Sequence, residues 1–436
     1  MAPPPPNTVP TLDVRRFHQN PARELVALAR YMQPAMRVRT GNSAFVHVCH
    51  PDTARYVLQT NNSNYLKDFS PFEAILGDSL LCANGDKWRA LRARMQPAFA
   101  ASRLRGSGRL AIEAADRMLE PWLRAAGTGK RIDVMPGFVS STLEFVATSL
   151  FTLSPDFITE ADLAAIEVGL KMGGRAMHFG SGMGPGGRAE LMSAVAQLDE
   201  MAARAVAIRR SQSEKPEDLL TLMIEALDDP EFPVMTPKQI RDDILTFLLA
   251  GHETTSTALG WAVRLISRRD HVQQRMREEV LALGDRDPDE DDLKALAYTT
   301  AVFNEAMRMR PPVPLMIRMA AENDRIDNVN VVRGMRVGVS ILGIHHHPEF
   351  WPNPETFDPE RFLGNTERAP NSFLPFSAGP RSCIGIRLAM IEGPLMLARI
   401  IQKLRVVPAQ NPPLVSQSVV TLRPRDGQFV GFERWA

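Results

Sequence analysis

Thirteen residues near the C-terminus, Phe373 to Gly385, read Phe-Leu-Pro-Phe-Ser-Ala-Gly-Pro-Arg-Ser-Cys-Ile-Gly. Cys383 leaves a loop rich in Gly and Pro and precedes an apolar stretch with helical spacing. Backbone N–H groups and the dipole at a helix start stabilise a thiolate in such a place. Gly379 and Gly385 let backbone run close to a flat cofactor. Phe376 can screen the sulfur from water, and Arg381 can pair with an anionic group of that cofactor. The bland alternative is a buried structural cysteine beside a tight turn, because free Cys is among the most buried residue types. The other two cysteines are Cys49 and Cys82. An odd, sparse set is a poor disulfide framework; it suits a reducing compartment, where a thiolate can ligate a metal.

A second stretch reads Ala250-Gly251-His252-Glu253-Thr254-Thr255. Glycine and paired threonines are poor choices for a helix interior. A threonine hydroxyl can bond back one turn and bend the helix. The bend would open a groove, with Ala250 and Gly251 leaving room for a diatomic ligand. Glu253 and Thr254 supply an acid and an alcohol for proton delivery. A simple kink with a solvated glutamate is the alternative.

Trp88 and Arg92 are four apart and can face one cofactor edge, or belong to an ordinary amphipathic helix. Glu305 and Arg308 form an i,i+3 pair, which on an exposed face would be worth a few tenths of a kcal/mol. Of His345-His346-His347, two can share a strand face, but no complementary Cys or carboxylate set surrounds them, so no metal site is assigned there. Cys49 reads as core packing.

The spacing Phe-x-x-Gly-x-Arg-x-Cys-x-Gly, filled by Phe376, Gly379, Arg381, Cys383 and Gly385, resembles the haem-binding signature of the cytochrome P-450 superfamily. Ala250 to Thr255 resembles its dioxygen-groove element, and the resemblance spans about Ala35 to the C-terminus. It implies a haem-thiolate monooxygenase of the soluble bacterial type, with haem b ligated by Cys383. Trp88, Arg92, Ala250, Arg318, Phe376, Arg381 and Gly385 would contact the haem; Arg92 and Arg318 would reach its propionates. Thr254 and Glu253 would deliver protons to dioxygen. Glu305, Arg308 and Arg361 would form a structural network beneath the cysteine loop. Leu81, Cys82, Val313, Met316 and Val420 would line the substrate pocket, along with the 173–188 region.

The expected fold is mainly α with a small β portion, the haem lying between a long core helix and the cysteine-loop helix. Thr236 reads as the N-cap of the core helix and Pro237 as its first residue, with the helix running to about Arg269. It is mostly apolar between Ile244 and Ile266, which predicts burial. Further helices are expected over 21–32, 87–123 (broken near Pro97), 136–151, 189–210 and from Cys383 to about Leu404. Strands are expected at 35–39, 44–48, 315–320 and 335–341, with a closing hairpin of 419–422 and 428–432 turned at Asp426-Gly427. Seven glycines between Gly173 and Arg188 predict an interrupted helix, either a plain connection or a mobile lid. Residues 1–34 read as a tail and first helix, and 35–436 as a single domain.

Composition is ordinary: 44% hydrophobic and 23% charged, with 51 basic and 50 acidic residues. Such a balance offers no global attraction to nucleic acid or an anionic membrane. The proline-rich start lacks the pattern of a signal peptide, and no apolar run suits a bilayer span. A cytoplasmic monomer without a membrane anchor is expected. With no reductase domain in the sequence, electrons would come from a separate ferredoxin or flavodoxin and its reductase. Arg92, Arg94 and Arg387 are the candidate docking patch, or else a solvated face. The expected reaction hydroxylates or epoxidises an apolar small molecule, lipid, terpenoid or polyketide-like. The rivals are a peroxide-driven peroxygenase, which does not need the Glu253–Thr254 relay, and a non-enzymatic haem-thiolate sensor, for which that groove would be superfluous.

Overall fold

The computed structural model describes residues 10–41, 43–179, 185–364, 367–409, 416–418 and 421–435. Helices dominate, and among the described residues the longest is Pro237–Ile266. The Thr236 hydroxyl accepts the Gln239 N–H at 3.0 Å, so the cap read from sequence closes the helix start. This core helix is buried at nearly every turn, as its apolar run requires. Met135–Phe151 packs along it, Ser107–Ala125 packs on Met135–Phe151, and Ile386–Lys403 packs on Ser107–Ala125.

A five-stranded sheet flanks the helices, in the order Ala35–Thr40, Ser43–Val48, Arg336–Ser340, Leu315–Ala320, Tyr65–Lys67. Only the pairing of Ser43–Val48 with Arg336–Ser340 is parallel. The pairing of Tyr65–Lys67 with Leu315–Ala320 sets Lys67 opposite Arg318. Two core clusters result, a large one among the helices from Phe72 to Phe432 and a smaller one over the sheet; a third joins the N-terminal helices Val14–Gln19 and Pro21–Ala29 to Leu342 and Leu422. No helix among the described residues is long and apolar enough to cross a membrane.

Two expectations change. The closing strands do not pair with each other. Leu422–Pro424 pairs with Ser416–Ser418, and Phe429–Glu433 pairs with Arg405–Pro408 and Ile132–Asp133. A turn signal at Asp426-Gly427 is satisfied by the turn alone and does not dictate the partners beyond it. The glycine-rich stretch is also more helical than expected. Glu160–Phe179 runs through Gly173 and Gly174, and the next helix starts at Pro185. A Cβ at Gly173 would lie 2.1 Å from the Phe72 ring, so this glycine serves close packing rather than flexibility. Residues 180–184 lie outside the described residues, as do the proline run at the N-terminus and Val419 and Val420.

Candidate active site

The cysteine loop is built from backbone turns. The Ser377 N–H donates to Leu374 at 3.0 Å, Ser382 to Gly379 at 3.0 Å and Cys383 to the Phe376 carbonyl at 2.9 Å. Gly379 has φ +71°, and an added Cβ there would lie 2.2 Å from the Leu58 carbonyl oxygen, so the turn admits only glycine. Gly385 caps Ile386–Lys403, and its N–H points at the Cys383 sulfur. Burial pushes the Cys383 thiol up, while that N–H, Lys67 and Arg92 pull it down. A bound metal cation would deprotonate it outright.

Cys383 is solvent-accessible although protein surrounds it densely, and so is half-accessible Lys67. That combination marks the wall of an internal cavity. The core helix, whose Phe247 packs on Phe99 beside Gly385, shows the same break in burial. Leu249 and His252 are buried, yet Ala250 is exposed, and Gly251 and Thr254 are half-exposed. The three accessible residues share one helix face. The Thr254 hydroxyl donates to the Ala250 carbonyl at 2.8 Å, the backward bond expected from sequence. Gly251 has a different reason for being small: a Cβ there would lie 2.8 Å from Val146 on the neighbouring helix. The room on this face comes from Ala250.

Four cations gather at one end of the cavity. Arg92 donates to the Ser382 carbonyl at 2.9 Å and to the Gln96 side chain at 2.8 Å. Arg381 donates to the carbonyls of Ala83 at 2.8 Å and Leu81 at 3.3 Å, and lies over the Trp88 ring at 4.4 Å. Arg318 is 4% exposed, and its guanidinium donates to the Ile317 carbonyl at 2.9 Å. Burial lowers Arg318 to about 10; burial and the charges of Arg318 and Arg92 lower Arg381 to about 9. Burial, then Arg318 and Arg381, hold Lys67 well below the usual lysine range. Among the described residues no carboxylate forms an ion pair with any of the four. Clustered, desolvated cations without anions are costly, so the site calls for an anionic ligand. Lys67 was not evident from sequence; its place comes from strand pairing with Arg318, which no local spacing encodes.

Glu253 lies behind the accessible face, 2% exposed, ion-paired with Arg423 and hydrogen-bonded by the Thr421 hydroxyl at 2.5 Å. Glu253 and Thr254 are thus adjacent in sequence but point to different surroundings. Leu81, Cys82, Val313, Met316 and Phe376 are half-buried, as wall residues are. Burial raises Cys82, against a bond from the Ser79 hydroxyl at 3.6 Å. Val420 lies outside the described residues.

The supporting shell is an ion network. Arg308 makes two bonds to Glu305, of 2.7 and 2.8 Å, with both side chains 0% exposed; Arg361 adds a contact of 3.6 Å. This rules out the exposed-pair alternative. Arg308 also donates to the His345 carbonyl at 2.8 Å, and His345 Nε2 accepts the Leu374 N–H at 2.8 Å, at the start of the cysteine loop. Burial lowers His345 to about 3, which keeps the ring neutral for that bond. His346 Nδ1 lies 3.0 Å from the Leu342 carbonyl. Among the described residues no group of three or more His, Cys, Asp or Glu could hold a metal ion. Cys49 is buried and pushed up to about 12 by burial, as core packing implies. Arg94 pairs with Asp229 at 3.9 Å and lies over Phe232; Arg387 is exposed.

An accessible thiol at a helix start beside uncompensated cations, in a fold whose core helix carries an accessible strip, fits an iron porphyrin with two carboxylates. Comparison with known proteins agrees. The family model "Cytochrome P450" matches residues 2–430. Cytochrome P450 132 of Mycobacterium tuberculosis is 32% identical, over 90% of this chain and 89% of its own. Human cytochrome P450 4F8 is 30% identical over 93% and 84%, and the cytokinin hydroxylase of Arabidopsis thaliana 29% over 81% and 71%. The crystal structure of the cytochrome P450DA heme domain superposes with a TM-score of 0.86 at 24% identity, covering 95% of this chain and 93% of that one. The chain belongs to the cytochrome P450 family of haem monooxygenases, whose cofactor is haem b ligated by a cysteine thiolate.

Proposed function

We propose that Cys383 supplies the thiolate and that the enzyme inserts one oxygen atom of dioxygen into an apolar small molecule. The supporting observations are the accessible strip Ala250–Thr254 in an otherwise buried helix and the four-cation cluster around Cys383. When bound, the haem supplies oxygen activation, and thiolate ligation favours O–O cleavage. Lys67, Arg92, Arg318 and Arg381 bind the propionates, and Trp88 braces Arg381 from below. Phe376 and Gly385 flank the sulfur, Gly385 donating its N–H. Ala250 keeps the dioxygen side open. Thr254 holds a hydroxyl at that face, poised to pass a proton, and Glu253 is the acid behind it, reached when its bonds to Arg423 and Thr421 relax.

Leu81, Cys82, Val313, Met316 and Val420 make the substrate wall in this reading. Their apolar character favours a lipid, terpenoid or polyketide-like substrate, and a relative named a hydroxylase favours hydroxylation. Electrons come from a separate ferredoxin or flavodoxin with its reductase; the protein is a cytoplasmic monomer, with 35–436 as one domain. A spin-state screen of apolar ligands identifies the substrate class. With a coupled substrate, Thr254→Ala is expected to cut product per electron by roughly 100-fold, the lower end of what a positioned proton donor contributes, and to release peroxide instead. Unchanged coupling would reject the relay.

One observation favours a second reading. Glu253 is committed to Arg423 and Thr421. If that pair never opens, a peroxide-driven peroxygenase follows. Turnover with peroxide alone that equals turnover with redox partners would select it.

A further inference from the structure

The segment Asp78–Ala83 borders the cavity and is held from two sides. From the core helix, Asp243 accepts the Leu80 N–H at 2.7 Å through one oxygen and the Gln239 side-chain amide at 2.8 Å through the other. The neighbouring Asp242 accepts the Asp78 N–H at 3.2 Å. Gly77, at φ +52°, lets the chain pass so close that an added Cβ would lie 1.9 Å from that carboxylate. From the cysteine loop, Arg381 holds the carbonyls of Leu81 and Ala83. Inside the segment, the N–H groups of Cys82 and Ala83 both reach the Ser79 carbonyl, at 2.9 and 2.7 Å. One hydrogen-bonded chain therefore runs from Asp243 through this turn to Arg381, two residues before Cys383.

Asp243 is 0% exposed and, among the described residues, makes no ion pair. An asparagine could accept from Leu80 and donate to Gln239 equally well. A carboxyl here adds only one property, the ability to gain and lose a proton. We propose that Asp243 is a positioning residue that latches Asp78–Ala83 over the haem edge and substrate entry, and that its protonation sets how often the latch opens. The link to substrate entry rests on the haem-thiolate reading; the latch itself does not.

Burial, with a smaller contribution from Asp242, pushes Asp243 up to about 7, against the bonds from Gln239 and Leu80 and the charge of Lys87. The other charged groups nearby are paired elsewhere: Lys238 and Arg241 with Asp242, Arg241 also with Asp199, and Lys87 with Asp78. In an opened latch the carboxyl meets water and returns to about 3.9. The closed state then binds the proton more tightly. Opening rises roughly tenfold per pH unit between about pH 4 and about pH 7 and levels off above that.

The test uses the haem-loaded enzyme and a 1-aryl-1,2,4-triazole, an uncharged ligand for ferric haem that reports entry by a spectral shift. Its association rate should climb roughly tenfold from about pH 5 to about pH 6, about fivefold from there to about pH 7, and flatten above about pH 8. In Asp243→Asn the rate should be independent of pH. Gln239→Leu keeps the carboxyl but removes a bond favouring its charged form, so the plateau should start at higher pH; this variant serves if Asp243→Asn does not fold. Hydrogen exchange of the Asp78 and Leu80 amides, corrected for intrinsic rates, should follow the same profiles. A flat wild-type profile, or a slope that survives in Asp243→Asn, overturns the proposal. The amide exchange does not depend on haem ligation, so a failed latch and a failed thiolate assignment give different results.

Discussion

Cys383→Ser is expected to abolish monooxygenase turnover and to lower the haem-to-protein ratio sharply, while the melting of the haem-free protein changes little. Serine preserves the loop because its backbone can still donate to the Phe376 carbonyl. Gly379 and Ser377 still make their turns. What is lost is the one group here that can become a thiolate. A hydroxyl does not ionise near neutral pH, even with an N–H, Lys67 and Arg92 helping. The four cations would still attract the propionates, so some haem should bind without thiolate ligation. Product formation beside haem content and apo-protein melting checks this. Retained turnover in Cys383→Ser would remove the sulfur from the mechanism.

Arg308→Leu is expected to destabilise the fold by about 3–5 kcal/mol, the cost of leaving one member of a buried ion pair without its partner. That is a large share of a typical domain's stability. Glu305 would stay buried, already pushed up by burial and opposed chiefly by Arg308. The carbonyls of His345 and Thr356 would also lose a donor. Replacing both partners, as in Glu305→Leu with Arg308→Leu, should recover part of the loss. Recovery stays incomplete because those carbonyls and the Asp358 N–H, 2.9 Å from Glu305, still lack partners. Urea unfolding of the single and double variants gives the numbers. A single variant as stable as the wild type would show that the pair carries no structural weight.

Local chemistry was legible in the sequence where one short segment contains the whole signal. The cysteine loop is such a case: its turns, its glycine and the helix after it are all set within thirteen residues. The Thr236 cap and the Thr254 back-bond are others. Legibility fails where a partner comes from far along the chain. Lys67 enters the cation cluster through pairing with a strand about 250 residues away. Glu253 was read beside Thr254, yet Thr421 and Arg423 decide where it points. Asp242 and Asp243 carry no local signal in the second turn of the core helix, and only the approach of Gly77 and Leu80 gives them work. Glycine misleads for the same reason. Gly173 reads as a helix breaker until Phe72 is seen against it.

The most direct measurement is the carbon monoxide difference spectrum of the reduced, haem-loaded wild-type protein. Thiolate ligation by Cys383 predicts a strongly red-shifted band that is absent from Cys383→Ser. A well-folded, fully loaded protein without that band, or a variant that keeps it, would contradict the assignment of Cys383 as the iron's ligand.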